Sequence, residues 1–546
     1  MLRPRSLILF VLIGLYPWVY AAHAQEQTFR ISGTVVDASS GVPLATADVS
    51  IAGTGGLRIQ TSVRTDAQGG FVFDHLIPGK YLLSARTKDY PQQSFQRHEN
   101  FSTAIAVGTD LDSENILFRL FASASLEGQV LDEFSEPVRA AQVMLFREGI
   151  GDGSQSVRMQ TQMATDDRGR YRFRRLQPGR YYIAAMAQPW YAQHITTQSL
   201  QQAPANGLVP MGEQNAALDV VYPITYYSGA IDPARASAIT LQPGERADAD
   251  FTLQPVPALH LRLTAPMTDL SQNVGVRVSQ TTLGGHEVQL PIQRTLNNKE
   301  FVDLAGFPPG SVIVGLDSPP APESKERISW RQSVDASRNA TVNMTEVAGT
   351  VAVGGIVKNT GIKALPQSAA IAIHDQQSGA TIFAHIAPDG KFEFPAPAVK
   401  PGKYDLSMSN APEFFVARFA AAGAKVSGRS IEIGSEQPVQ LSVEVGAGMG
   451  SIEGVALRNG KPTGGVMIML VPQDFENESP LLRRDQSDSD GTFTLSAVPG
   501  QYTLVAVENG WDQEWANPSV VKMWLKAGEP VEVAPNGKYT IKVNVQ

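Results

Sequence analysis

Residues 165–185 read TDDRGRYRFRRLQPGRYYIAA. The DDRG at 166–169 is a cluster that reverses a chain, because Asp bonds its own backbone and Gly accepts positive φ. Tyr171 and Phe173 then alternate with Arg170, Arg172 and Arg174, a period of two that puts aromatics on one face of a strand and arginines on the other. Pro178-Gly179 turns the chain again, and Tyr181 and Ile183 open a second alternating run. The unit recurs. Residues 65–85, TDAQGGFVFDHLIPGKYLLSA, carry Asp66, Gly69, Phe71, Phe73, Leu76, Pro78, Gly79 and Tyr81, each 100 positions before its counterpart. Residues 489–506, SDGTFTLSAVPGQYTLVA, repeat it near the C-terminus, and 388–407, PDGKFEFPAPAVKPGKYDLS, give a looser copy. The weakest copy is 301–316, FVDLAGFPPGSVIVGL, where Val312 stands in the tyrosine's place. Upstream of the clear copies lies an x-G-x-V strand, then a proline and an A-x-V-x-L-like strand: ISGTVVD with PLATADVSI, LEGQVLD with PVRAAQVMLF, and IEGVALR with KPTGGVMIML.

Self-similarity of this kind means an array of small domains. These strings resemble the carboxypeptidase regulatory-like domain, a transthyretin-like β-sandwich of the carbohydrate-binding-like and Cna B-type group. The resemblance covers most of the chain outside the leader and connectors. It implies a fold rather than an activity, since such domains are appended to carboxypeptidases without doing the chemistry. The expected fold class is all-β: a tandem array of about five small antiparallel β-sandwich domains, transthyretin-like or immunoglobulin-like, after a signal peptide. The divisions are 1–24 signal peptide, 25–121 first sandwich, 122–256 second sandwich with an inserted Gln- and Ala-rich loop at 198–217, 257–347 degenerate third, 348–446 fourth and 447–546 fifth. The tail of the second, 238–253, alternates like two strands about Pro243-Gly244 and closes that sandwich. SPPAPESKE at 318–326 reads as an exposed loop, and the nearest thing to a helix is VARFAAAGAK at 416–425, short and broken by glycine.

At 546 residues the chain suits several domains of roughly 100 each. MLRPRS, the apolar run at 7–20 and Ala22-His23-Ala24 read as a Sec-type signal with the mature chain starting at Gln25; an uncleaved anchor is the alternative. The expected location is secreted, periplasmic or cell-surface, with no membrane span after cleavage. Formal net charge is −8, and −10 once Arg3 and Arg5 leave with the leader, which argues against nucleic acid or anionic lipid as the main partner. The absence of cysteine excludes disulfides, thiolate metal sites, a cysteine nucleophile and a lipobox anchor.

The motifs point away from catalysis, and no enzyme activity and no cofactor are expected. None of the mature histidines, His75, His98, His194, His260, His286, His374 and His385, begins H-x-x-E or H-E-x-x-H. Neither G-x-S-x-G nor G-x-x-x-x-G-K-[ST] occurs. His374 and His385 are placed to meet across a hairpin or to be plain strand residues. DQSDSDG at 485–491 resembles the start of a calcium loop, but Ala497 stands where the bidentate Glu belongs, so it reads as an Asp-rich turn and no metal is expected. Arg170, Arg172 and Arg174 form either a solvated face or a surface for an acidic polysaccharide or membrane phosphates.

An aromatic residue follows the PG-turn tyrosine by nine positions: Tyr90 after Tyr81, Trp190 after Tyr181, Trp511 after Tyr502; Phe414 follows Tyr404 by ten. That spacing puts the rings near one pole of each sandwich. Trp190 with Tyr191, Trp511 with Trp515, and Tyr222, Tyr226 and Tyr227 are candidate stacking platforms, because sugars present apolar C–H faces that pack on rings. The other reading is that each ring caps its own core. Two functions follow: a binding or adhesive array for a polysaccharide or another cell-surface protein, or a passive spacer or envelope scaffold. A third, accessory domains of a partner hydrolase, comes from the resemblance. Exposed rings favour binding; rings buried at domain junctions favour the scaffold.

Overall fold

The computed structural model describes residues 28–111, 113–151, 153–194, 216–264, 275–297, 300–317, 329–343, 351–377, 379–395, 399–434 and 437–546. The leader and the 318–326 loop lie outside the described residues, as does nearly all of 198–217.

The alternating runs form strands, and the turns set their order. In the first sandwich one sheet holds Gly70–Leu76, Phe29–Asp37 and Ile116–Leu120 in that order, and the other holds Gln60–Arg64, Asp48–Gly53, Gly79–Thr87 and Tyr90–Ser94. Phe29–Asp37 pairs antiparallel with Gly70–Leu76 on one side and parallel with Ile116–Leu120 on the other. The same arrangement, a first strand between an antiparallel hairpin strand and a parallel returning strand, recurs in the other sandwiches. The protein is an all-β array of two-sheet sandwiches. The x-G-x-V glycine follows from this pairing: a Cβ on Gly33 would lie 2.1 Å from the Ile116 carbonyl oxygen, and one on Gly128 2.1 Å from that of Ala249.

The PG-turn tyrosines share one geometry. Each ring is buried, and its hydroxyl donates to the carbonyl four residues earlier: Tyr81 to Ile77 at 2.8 Å, Tyr181 to Gln177 at 2.6 Å, Tyr404 to Lys400 at 2.8 Å and Tyr502 to Val498 at 2.8 Å. The bond satisfies a carbonyl next to the core that the turn leaves without a strand partner. In the third sandwich buried Val312 fills the space and the bond is lost, while the turn survives.

Two stretches singled out in the sequence are strands. Ile239–Leu241 pairs with Gly179–Met186, but Arg246–Asp248 pairs with Ala124–Leu131, so Pro243-Gly244 carries the chain between sheets rather than closing a hairpin. The VARFAAAGAK stretch is no helix: Phe414–Ala422 is a strand along Val439–Ala447, where ladder bonds override the helical preference of alanine.

Some outer faces are covered by neighbouring sandwiches. Met144, Phe146, Ala184, Ile224 and Tyr226 of the second share one buried cluster with Leu261, Val278, Leu304, Val314 and other residues of the third. The strand Met467–Pro472 of the fifth is buried on both faces, Ile468 and Leu470 toward its own core and Met467, Met469 and Val471 toward a second cluster that reaches Phe101 and Ile150. Among the described residues no helix is long and apolar enough to cross a membrane.

Candidate functional site

The four rings that follow the PG-turn tyrosines by nine or ten residues meet four environments. Tyr90 is half-buried, its hydroxyl donating to Asp37 Oδ2 at 2.9 Å; burial and that carboxylate push it up to about 12. Phe414 is a core residue of the fourth sandwich. Trp190 is 82% exposed, whereas Trp511 is 5% exposed. Equal spacing brings each ring past its strand, but what covers it differs.

Trp511 and Trp515 do not form an open stacking platform. They are 5% and 7% exposed and sit in a buried cluster with Trp524, Met467, Met469 and Val471, with Phe101 and Ile150 of the first two sandwiches packed against it. His98 stacks on Trp511 at 5.6 Å with planes 5° apart, and Phe101 lies 5.1 Å from the same ring. The Arg484 guanidinium lies 3.4 Å from the Trp515 ring centre and also pairs with both oxygens of Glu99 at 3.1 and 3.0 Å. Lys80 Nζ reaches Asp488 Oδ2 at 2.6 Å, and Ala104 donates its backbone N–H to Asp488 Oδ1 at 2.9 Å. From the second sandwich, Gly153 accepts the Ala516 backbone N–H at 2.9 Å. The fifth sandwich is thereby docked on the first and second.

The acidic 485–491 stretch is taken up by the same contact. Asp488 serves the first sandwich, Asp485 Oδ2 accepts from the Thr494 backbone N–H at 2.8 Å, and Asp490 Oδ1 accepts from that of Thr492 at 3.0 Å. Burial pushes the Asp485 carboxyl above its ordinary range, against two backbone donors. These carboxylates converge on protein donors rather than on one another, and among the described residues no three His, Asp or Glu are placed to hold a metal. Nor do His374 and His385 face each other: His374 is opposite Thr381 and His385 opposite Ala370. A His pair does meet elsewhere. Asp219 bridges His194 Nδ1 at 3.0 Å and His260 Nε2 at 2.7 Å, tying the second sandwich to the third.

The exposed rings gather on the second sandwich. Trp190 stands perpendicular to Tyr191, ring centres 5.8 Å apart, and Phe134, 69% exposed, packs edge-on to Tyr191 at 6.3 Å. Tyr191 and Tyr222 both donate their hydroxyls to Glu133, the latter at 2.6 Å. Burial raises the Glu133 carboxyl, but these two hydroxyls more than offset it and hold it below the ordinary range; Tyr191 is pushed up to about 12. Phe134 went unnoticed in the sequence, although an aromatic inside the polar turn DEFSEP at 132–137 is a signal for it. The Tyr222 and Tyr226 rings, expected as platform members, are instead core residues at 3% and 2% exposure. Tyr222 lies in the core of the second sandwich, where half-buried Tyr227 packs against it, whereas Tyr226 is buried in the cluster shared with the third.

The family model of the carboxypeptidase regulatory-like domain matches residues 30–111 and 125–208. The two matches fall on the first and second sandwiches, which are similar to that domain. No curated protein matches the chain. Among solved structures, the chain is similar to the TIE protein of Bacillus anthracis, with 11% identity, 95% of this chain and 68% of that one covered, and a TM-score of 0.16. It is similar to the minor pilin of Streptococcus agalactiae, with 12% identity, 42% and 96% covered, and a TM-score of 0.21. For the major pilin subunit of Bacillus cereus the values are 12%, 77%, 99% and 0.15.

Proposed function

We propose that the protein is a non-catalytic, exported or cell-surface scaffold in which the C-terminal sandwich is locked back onto the first two. The observation that carries this reading is the burial of Trp511 and Trp515 against Phe101 and Ile150, beside the Arg484–Glu99 and Lys80–Asp488 pairs. Aromatic burial supplies most of the attraction and the ion pairs supply register. The test is small-angle scattering and limited proteolysis of the full chain beside Gly153→Val and Trp515→Ala. A Cβ at Gly153, whose φ is 79°, would stand 2.4 Å from that of Ala516 and 2.6 Å from the Trp515 ring, so the valine strains its own turn and pushes directly on the contact between the second sandwich and the fifth. Both variants are expected to enlarge the radius of gyration and to expose new cleavage sites around 447–450. Unchanged scattering and cleavage in both would rule the lock out.

A second reading is carbohydrate binding through Trp190 and Tyr191, and the exposure of Trp190 and Phe134 favours it. Rings at right angles offer a sugar one face and one edge, and Glu133 lies within reach of its hydroxyls. Retention on a panel of neutral polysaccharides that Trp190→Ala and Phe134→Ala abolish, with melting unchanged, supports this reading. No retention of the wild type on any member removes it.

A further inference from the structure

We propose that the cleft between the first and second sandwiches is a binding site for a linear acidic polysaccharide. The cleft encloses about 840 Å³, and its walls carry Arg86 and Lys88 from the first sandwich and Arg172, Arg174, Arg175 and Arg246 from the second. Asp89 is the acidic residue in the lining. Arg172 Nε is 3.0 Å from Glu127, and Arg86 Nε is 3.7 Å from Asp48. Among the described residues, Lys88, Arg174, Arg175 and Arg246 have no carboxylate within 4.0 Å. Four unpaired cations are thus held around one cleft of a chain whose formal net charge is −8. Their mutual repulsion costs stability that a bound polyanion would recover.

The first sandwich provides an internal control. Its hairpin strand makes the same bulge, with His75 at φ 60° where Arg175 has φ 57°, and with matching register shifts against the first strand. At the positions of Arg172, Arg174 and Arg175 it carries Val72, Asp74 and His75. The bulge is therefore a demand of the fold and the charge is not. In the second sandwich the bulge turns two successive arginines outward, as bulges do when they re-aim side chains.

The shape of the cleft and the charge around it select the class of ligand. A bilayer is too flat to enter a recess between two domains, whereas a single extended chain fits. Nucleic acid packs its phosphates densely and is repelled by the acidic remainder of the surface; a uronic-acid polymer is charged more sparsely. Tyr90 and Pro91, also in the lining, give the sugar rings an apolar surface.

The experiment is calorimetric titration of the full chain with polygalacturonate, neutral dextran and inorganic polyphosphate at about 50 and 200 mM salt. The variant Arg174→Asp with Arg175→His copies residues that the same bulge already accommodates in the first sandwich, and Lys88→Gln with Arg246→Gln provides a second variant away from the bulge. Polygalacturonate is expected to bind and to weaken about tenfold over that salt range, with each variant about tenfold weaker at low salt and dextran silent. The proposal is overturned by absent polygalacturonate binding at low salt, by wild-type affinity in both variants, or by tighter binding of polyphosphate. None of these residues touches the Trp511–Trp515 contact, so failure here leaves the lock unaffected and failure of the lock leaves this site testable.

Discussion

The PG-turn tyrosine shows how one atom can hold a repeat in shape. Tyr502→Phe keeps the ring and deletes a 2.8 Å bond to a buried carbonyl, so it should cost about 1–3 kcal/mol, the usual penalty for leaving such a group unpaired. Urea unfolding followed by tryptophan fluorescence reads this directly, because Trp511, Trp515 and Trp524 all belong to that sandwich. Glu133 makes a pH-dependent contribution of known sign. Its carboxyl is held below the ordinary range in the folded chain despite burial, so its stabilisation is complete above the unfolded value of about 4.3 and is lost as pH falls through the folded value. The stability difference between wild type and Glu133→Gln should therefore be flat near neutrality and shrink on acidification. A difference that stays constant down to acid pH would contradict the role of the two tyrosine hydroxyls. Residue types were legible at both places, but the partner of Glu133 was not, because Tyr191 and Tyr222 are 58 and 89 positions away.

A single strand position reports what lies outside each sandwich. Ser50, Met144 and Met469 occupy equivalent places, one residue beyond Val49, Val143 and Ile468, which face Ala85, Ala185 and Ala506. Ser50 is half-buried, while Met144 and Met469 are fully buried under neighbouring sandwiches. Strict alternation in DVSIA and its breakdown in QVMLF and VMIMLV thus separate strands with one covered face from strands with two. Met469→Ser should cost at least about 2–5 kcal/mol, the range for truncating a buried methionine, whereas Ser50→Met should change stability by less than about 1 kcal/mol. Equal effects in chemical denaturation would show that the outer face of the fifth sandwich is not covered in solution. The Asp-rich turn follows the same logic. Asp66 and Asp166 bond their own turns, whereas Asp488, at the equivalent place, turns its carboxylate to Lys80 and Ala104 of another sandwich.

The shared cluster of the second and third sandwiches makes them one cooperative unit, since unfolding either exposes the apolar face of the other. Hydrogen exchange across a urea series should show both losing protection together, with the fourth, whose core cluster is its own, following a separate curve. Separate curves for the second and third would refute the shared core. The sandwich fold itself was legible in the sequence. Period-two alternation, Asp-Gly and Pro-Gly turns and the x-G-x-V strand are local consequences of backbone sterics, and they repeat often enough to define the array. Which rings stay exposed was not legible. Trp190 and Trp511 follow equivalent tyrosines by the same nine residues, yet one is 82% exposed and the other 5%. The spacing carries each ring past the end of its strand, and that much is set locally. Its burial depends on whether residues some 400 positions away, such as Phe101 against Trp511, come to rest on it, and only the tertiary structure decides that.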